Sequence, residues 1–186
     1  QQTAAATGKT LTLSAVTGVN GGVGWLATDV GRILKFNSGE AIITARTNAT
    51  VAVATITKAF TNTNAIAAFN LGAFSDTTGH PSCVSFFEQR LVFAGTTDEP
   101  QTLYFSKSGD YENMTTGTNA DDAMVYTIAS NQVNKIRYLK SVRTLLIGTT
   151  GGEFSVSADG TDAAVTPTNV TIKRQSSFGA ANVDAQ

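Results

Sequence analysis

The strongest constraint on this chain is a stretch that it uses twice. Arg90-Leu91-Val92-Phe93-Ala94-Gly95-Thr96-Thr97 aligns without a gap with Arg143-Thr144-Leu145-Leu146-Ile147-Gly148-Thr149-Thr150 at an offset of 53 residues, and Arg, Gly, Thr and Thr coincide. Upstream, Val84-Ser85-Phe86-Phe87 lines up with Ile136-Arg137-Tyr138-Leu139 at an offset of 52. Downstream, Leu103 to Gly109 lines up with Phe154 to Gly160 at an offset of 51. A fourth run closes each copy: Ala123 to Ile128 in the first and Thr168 to Lys173 in the second. Gly-Thr-Thr alone is weak evidence of a repeat, and the matches on both flanks carry it. Four short strands at a period near 50 describe a β-propeller blade, so residues 81–128 and 133–174 are expected to be two blade-like repeats.

The rest of the composition narrows the class. The 186 residues are 41% hydrophobic and 15% charged, with a net charge of −1. Charge so low and balanced predicts no electrostatic footprint for nucleic acid or an anionic membrane, although DNA can pass such a surface without being held. Cys83 is the only cysteine, which excludes an intrachain disulfide and a structural zinc site. No run approaches the 18 or so apolar residues of a membrane span, so no membrane anchor is expected. The first residues, Gln1-Gln2-Thr3-Ala4, carry neither an initiator Met nor a signal pattern, which suggests a piece of a longer chain.

Taken in order, residues 1–8 are small and polar and read as a linker. Lys9 to Val16 alternates Leu11, Leu13 and Ala15 with Thr10, Thr12 and Ser14, the period of a half-buried strand. A glycine-rich turn spans Gly18 to Gly24, and Trp25 and Leu26 anchor the loop that follows. A meander comes next: Arg32 to Phe36, a turn at Asn37-Ser38-Gly39, Ala41 to Arg46, a turn at Thr47-Asn48-Ala49, and Thr50 to Ile56. These turns are expected to use Asn and Gly for positive φ. The predicted core is Leu11, Leu13, Trp25, Ile33 or Leu34, Phe36, Ile42 or Ile43, Val51 and Val53, in a small barrel or sandwich. Lys58 to Phe69 reads as an extended connector, and the boundary is placed near residue 75. The expected organisation is a small β-module with connector over 1–75 and the repeats over 76–186, nearly all-β, an incomplete propeller and a fragment of a longer chain.

No residue constellation reads as catalytic. Thr7-Gly8-Lys9-Thr10 ends like a phosphate-binding loop, yet Thr3 stands where that loop needs Gly and a strand follows instead of a helix. Gly148 to Gly152 lies between two strands and reads as a hairpin turn. His80 beside Cys83 lacks a third group to orient a base. Asp110, Asp121 and Asp122 lack the alternating-oxygen spacing of a calcium loop. Three sequons, at Asn48, Asn113 and Asn169, matter only in a secreted setting that nothing else in the chain suggests. No catalytic, cofactor-binding or metal-binding residue is assigned, no cofactor is expected, and the chain is not expected to be an enzyme.

Several blocks resemble a known family. They are Leu71-Gly72-Ala73-Phe74-Ser75-Asp76, Gly79-His80-Pro81, Phe86 to Thr96, Pro100 to Asn113, Ile128 to Asn134, Leu146 to Glu153 and Pro167-Thr168-Asn169-Val170. In this order they are similar to the tail nozzle proteins (the tail tubular protein B class) of short-tailed bacteriophages, over roughly residues 70 to 183. Asp29 to Asn37 looks like the small β-module often labelled after the FCCH domain of ubiquitin-activating enzyme, which implies shape alone. The resemblance implies a virion structural protein assembled in the bacterial host cytoplasm. It would form a homo-oligomeric ring at the tail end, with tail adaptor, portal and tail fibre proteins as partners, and DNA would be ejected through its lumen without specific binding. Nozzle proteins are much longer than this chain. The competing expectation is a carbohydrate-binding or glycan-processing tail module, which normally shows clustered exposed aromatics or paired carboxylates.

Overall fold

The computed structural model describes residues 6–62, 64–130, 133–160 and 163–181. Among these residues it is all-β, with thirteen strands in three antiparallel sheets, none of them closed. The chain divides into two compact units, residues 1–79 and 80–186.

The first unit holds β1 (Ala6–Thr12), β2 (Ile33–Phe36), β3 (Gly39–Arg46), β4 (Val51–Lys58) and β5 (Asn70–Leu71) in one sheet of order β1-β4-β3-β2-β5. It is an open sheet and not the expected barrel or sandwich. Among the described residues its edges, β1 and the two-residue β5, pair only with β4 and β2. The strand placed at Lys9 to Val16 begins at Ala6 and ends at Thr12, so residues 6–8 of the expected linker are strand. Residues 1–5 of that linker lie outside the described residues.

One face of this sheet carries the core: Leu34, Ala41, Ile43, Ala52, Ala54 and Ile56, covered by Trp25 and Val19. Leu34 and Ile43 are inside, whereas Ile33 is exposed. Val51 and Val53 were expected in the core, but they lie on the opposite face and are half-buried. The strand Val-Ala-Val-Ala-Thr-Ile turns its small residues inward because large aromatics lie over them. Phe60 stacks on Phe36 with ring centroids 4.1 Å apart, and a Cβ on Gly39 would overlap the Phe60 ring. The β2–β3 turn takes positive φ at Asn37 and Ser38, leaving Gly39 as a strand residue. The β3–β4 turn needs no positive φ: Asn48 Oδ1 accepts the N–H groups of Thr50 and Val51, each at 2.9 Å. Between β4 and β5 the described residues form neither helix nor strand.

The second unit holds two four-stranded meanders. β6 (Cys83–Phe87), β7 (Arg90–Ala94), β8 (Thr102–Phe105) and β9 (Met124–Thr127) form one. β10 (Ile136–Ser141), β11 (Leu145–Thr149), β12 (Gly152–Ser157) and β13 (Thr171–Ser176) form the other. The middle of the repeat is in register. Val92 pairs with Phe105 and Leu145 with Val156, while Ala94 pairs with Leu103 and Ile147 with Phe154. These are the equivalences of the 53 and 51 offsets, and all eight residues are buried in a single core shared by the two sheets.

The flanks of the repeat differ. Val92 pairs with Ser85 and Leu145 with Ser141, so the first strands correspond at an offset of 56 and not 52. The β6–β7 hairpin closes in two residues, Glu88 and Gln89, both at positive φ. The β10–β11 hairpin uses three, Val142 to Thr144, and β10 carries a bulge near Arg137. The last strand, β13, begins three residues later than the run expected at Thr168.

The repeated Gly-Thr-Thr has a physical basis. A Cβ on Gly95, which sits at φ +72°, would come within 2.7 Å of Ser82 Oγ. A Cβ on Gly148 would overlap the ring of its cross-strand partner Tyr138. The first Thr of each copy is buried and fixes the next turn: Thr96 Oγ1 accepts the Glu99 N–H at 3.0 Å, and Thr149 Oγ1 donates to the Gly152 carbonyl at 2.6 Å. The matching arginines have no shared role. Arg90 is buried in β7, whereas Arg143 is exposed in a turn.

Candidate functional site

The residues singled out for chemistry have other work. Thr7 to Thr10 lies within β1, where Lys9 and Thr10 pair with Ala54 and Val53 of β4. Gly148 to Gly152 is the β11–β12 hairpin. His80 is an exposed loop residue, and Cys83 is buried on β6 with its Sγ 3.9 Å from the Ile136 carbonyl. Asp121 and Asp122 both face Lys107, whose Nζ lies 3.2 and 3.0 Å from them. That pairing, with the Asn119 N–H, holds the Asp122 carboxyl below its usual range, and the two aspartates raise the Lys107 ammonium. Asp110 belongs to the adjacent turn closed by a bridge to Lys107. Among the described residues no group of three or more His, Cys, Asp and Glu side chains stands close enough to hold a metal. Of the sequon asparagines, Asn48 and Asn113 each close a turn, and Asn169 exchanges hydrogen bonds with the Asp159 backbone.

Two buried polar clusters were not foreseen. In the first unit Asp29 is fully buried and paired with Arg32 at 2.9 Å. It also accepts from Asn20, the Leu26 N–H and Thr77, while Arg32 donates to Asn20 and the Gly72 carbonyl. One ion pair thus ties the glycine-rich loop, the Trp25 loop and the segment after β5 together, consistent with the rule that a buried charge persists only when fully partnered. In the second unit, the Arg90 guanidinium donates to the carbonyls of Ser106, Asp122 and Ala120 at 2.6–2.7 Å. Burial lowers its pKa, with Asp121, Glu88 and Asp122 opposing that shift. The sequence signal for Arg90 was the repeat itself, which pointed equally to exposed Arg143.

A cavity of about 510 Å³ lies in the first unit between the core face of its sheet and the segment bearing Phe60, Ile66 and Phe69, walled also by Leu11, Trp25, Phe36 and Ala54. Trp25 is 1% exposed, and its indole N–H has no acceptor among the described residues.

The outward faces of the second unit are its most distinctive surfaces. Paired residues place Val84, Phe93, Tyr104 and Val125 in one row across β6–β9, away from the shared core. The equivalent row on β10–β13 is Lys140, Leu146, Ser155 and Lys173. The first row is exposed only toward its edges: Val84 and Phe86 of the same face are each 59% exposed and Val125 47%, whereas Phe93 is half-buried and Tyr104 buried. The second is largely polar. In comparisons with known proteins, no family model matches the chain and no curated protein matches it.

Proposed function

We propose that this chain is a structural component of a bacteriophage tail, part of the nozzle that closes a short tail and through which DNA is ejected. The observation that carries the reading is the ordered series of blocks from Leu71 to Val170 that resemble tail nozzle proteins. The build of the second unit supports it mechanically: eight strands in two meanders share one core, so a load on one sheet is passed to the other through close-packed side chains. Three of the buried polar groups there, Arg90, Thr96 and Thr149, spend their hydrogen bonds on fixing turns.

The two meanders are read as blade-like units of that subunit. Strand order supports this, as does the adjacency of the first strands, where Cys83 Sγ on β6 lies 3.9 Å from the Ile136 carbonyl on β10. Their packing departs from a regular propeller, in which one face of a sheet meets the opposite face of the next. Here repeat-equivalent faces meet in one core, so the pair is blade-like in order and sandwich-like in packing.

The glycan-module reading has less support. The single Trp is buried and offers no platform for a sugar ring. The test is genetic. A nonsense mutation in the gene should yield particles that package DNA but lose it or fail to deliver it, with supply of the full subunit in trans restoring infectivity. Normal particles that deliver DNA without the protein would remove the proposal, and competable binding on a glycan array would replace it with the alternative.

A further inference from the structure

The apolar core of the first unit is left partly uncovered. Leu11, Leu13, Phe36, Phe60, Ile66 and Phe69 all line the cavity of about 510 Å³, and each of them is only half-buried. Side chains of this size normally close over one another at the density of an organic crystal. Small residues stand behind them instead: Ala41 and Ala54 of the sheet also line the cavity and are fully buried. The volume lies within the roughly 300–1,000 Å³ of sites that hold small molecules. Lys9, Thr10, Asn62 and Asn64 at its border are exposed, so it opens to solvent.

The chemistry of the lining is one-sided. Lys9 is the only charged residue in it. It stands opposite Ala54 in the β1–β4 ladder, as Leu11 stands opposite Ala52, and paired residues share a face. A lysine is thus set on the core face of the sheet, with no ion pair or hydrogen bond among the described residues. The second polar group is the indole N–H of Trp25, a wall residue. It is shielded from solvent and has no acceptor among the described residues. Both groups are donors, and a buried donor left unpaired is costly. The lining therefore favours acceptors and negative charge over amines.

We propose that the cavity binds a small apolar acid, its hydrocarbon body covering the half-buried side chains and its carboxylate meeting Lys9 at the border. Burial of the body supplies most of the affinity, since an ion pair at a solvated rim is worth little. The carboxylate then decides, by charge, which apolar molecule is held. An oxygen reaches the Trp25 N–H only when a neighbour gives way. Phe69, half-buried and stacked on the Trp25 ring with centroids 5.8 Å apart, is such a neighbour. The cavity residues all precede the blocks from Leu71 onward that carry the tail reading, so the two proposals stand or fall separately.

Trp25 is the only tryptophan of the chain, so its emission reads this cavity directly. Octanoate, octan-1-ol and octylammonium share one hydrocarbon length, and each is titrated into the purified chain with affinity measured by calorimetry. Octanoate should bind saturably and shift the Trp25 emission. It should bind roughly three- to tenfold more tightly than octan-1-ol, with octylammonium weaker still. Lys9→Glu should reverse the order of the two ions, and Lys9→Met should abolish the difference between octanoate and octan-1-ol. Lys9 is exposed on an edge strand, so both variants should keep the far-UV circular dichroism of the parent. If they do not, the order of the three ligands on the parent decides. The absence of saturable binding overturns the proposal. So do equal affinities for octanoate and octylammonium, and so does heat of binding with unchanged Trp25 emission, which would place the ligand on an apolar surface elsewhere.

Discussion

At the level of single residues, position within the strand outweighs residue type. Leu145 and Leu146 are neighbours in the same repeated stretch, yet Leu145 is fully buried and Leu146 is 36% exposed on the opposite face. Leu145→Ala should cost about 2–5 kcal/mol through lost transfer energy and the cavity left behind, whereas Leu146→Ala should stay within about 1 kcal/mol. Urea denaturation of both variants checks this, and equal losses would mean that the strand is out of register. Lys107 and Asp122 make a pH-dependent pair. The Asp122 pKa is lowered in the fold, so its contribution is present above its unfolded value, about 4, and is lost as pH falls through the folded one. The Lys107 pKa is raised, so its contribution is present below about 10.4 and lost as pH rises through the folded value. The stability difference between the parent and Lys107→Met should be flat across neutral pH and shrink at both extremes. Thermal melts across the range would show it.

Among elements, the hairpins separate what the sequence reveals from what it hides. The second and third strands of each repeat were legible because Val92-Phe93-Ala94-Gly95 and Leu145-Leu146-Ile147-Gly148 each end on a required glycine, Gly95 for its φ of +72° and Gly148 for the Tyr138 ring that lies against it. The first strands were not. Val84 to Phe87 and Ile136 to Leu139 are apolar on most positions, so alternation cannot set their register. The second hairpin turns over Val142 to Thr144, so the residue matching strand residue Arg90 falls in the turn, and moving the turn two residues along shifts the first strand by four. The inward face of β4 was hidden for a related reason: size favoured Val51 and Val53, and only the aromatics packed above reveal why alanines face in. The candidate site was less legible still, since the outer rows are defined by pairing across four strands and not by any local motif. The described residues between β4 and β5 belong to no strand ladder, and Thr61, Asn62, Asn64, Ala65, Ala67 and Ala68 are exposed. A nonspecific protease should cut within residues 61–68 before β3 or β4. First cuts inside Gly39–Arg46 would contradict the strand assignment.

For the whole molecule, the net charge of −1 reads as giving no electrostatic footprint for a polyanion or an anionic membrane. The charge is unevenly divided along the chain, since residues 80–130 carry two basic against seven acidic side chains, a formal −5, and residues 133–176 six basic against three acidic, a formal +3. The central proposal is that this chain belongs to the nozzle of a short tail, and the most direct measurement is electron microscopy of intact virions decorated with antibody fragments raised against it. Label confined to the distal end of the tail is the predicted result. Virions that bind no label, with the protein recovered only outside the particles, would contradict it.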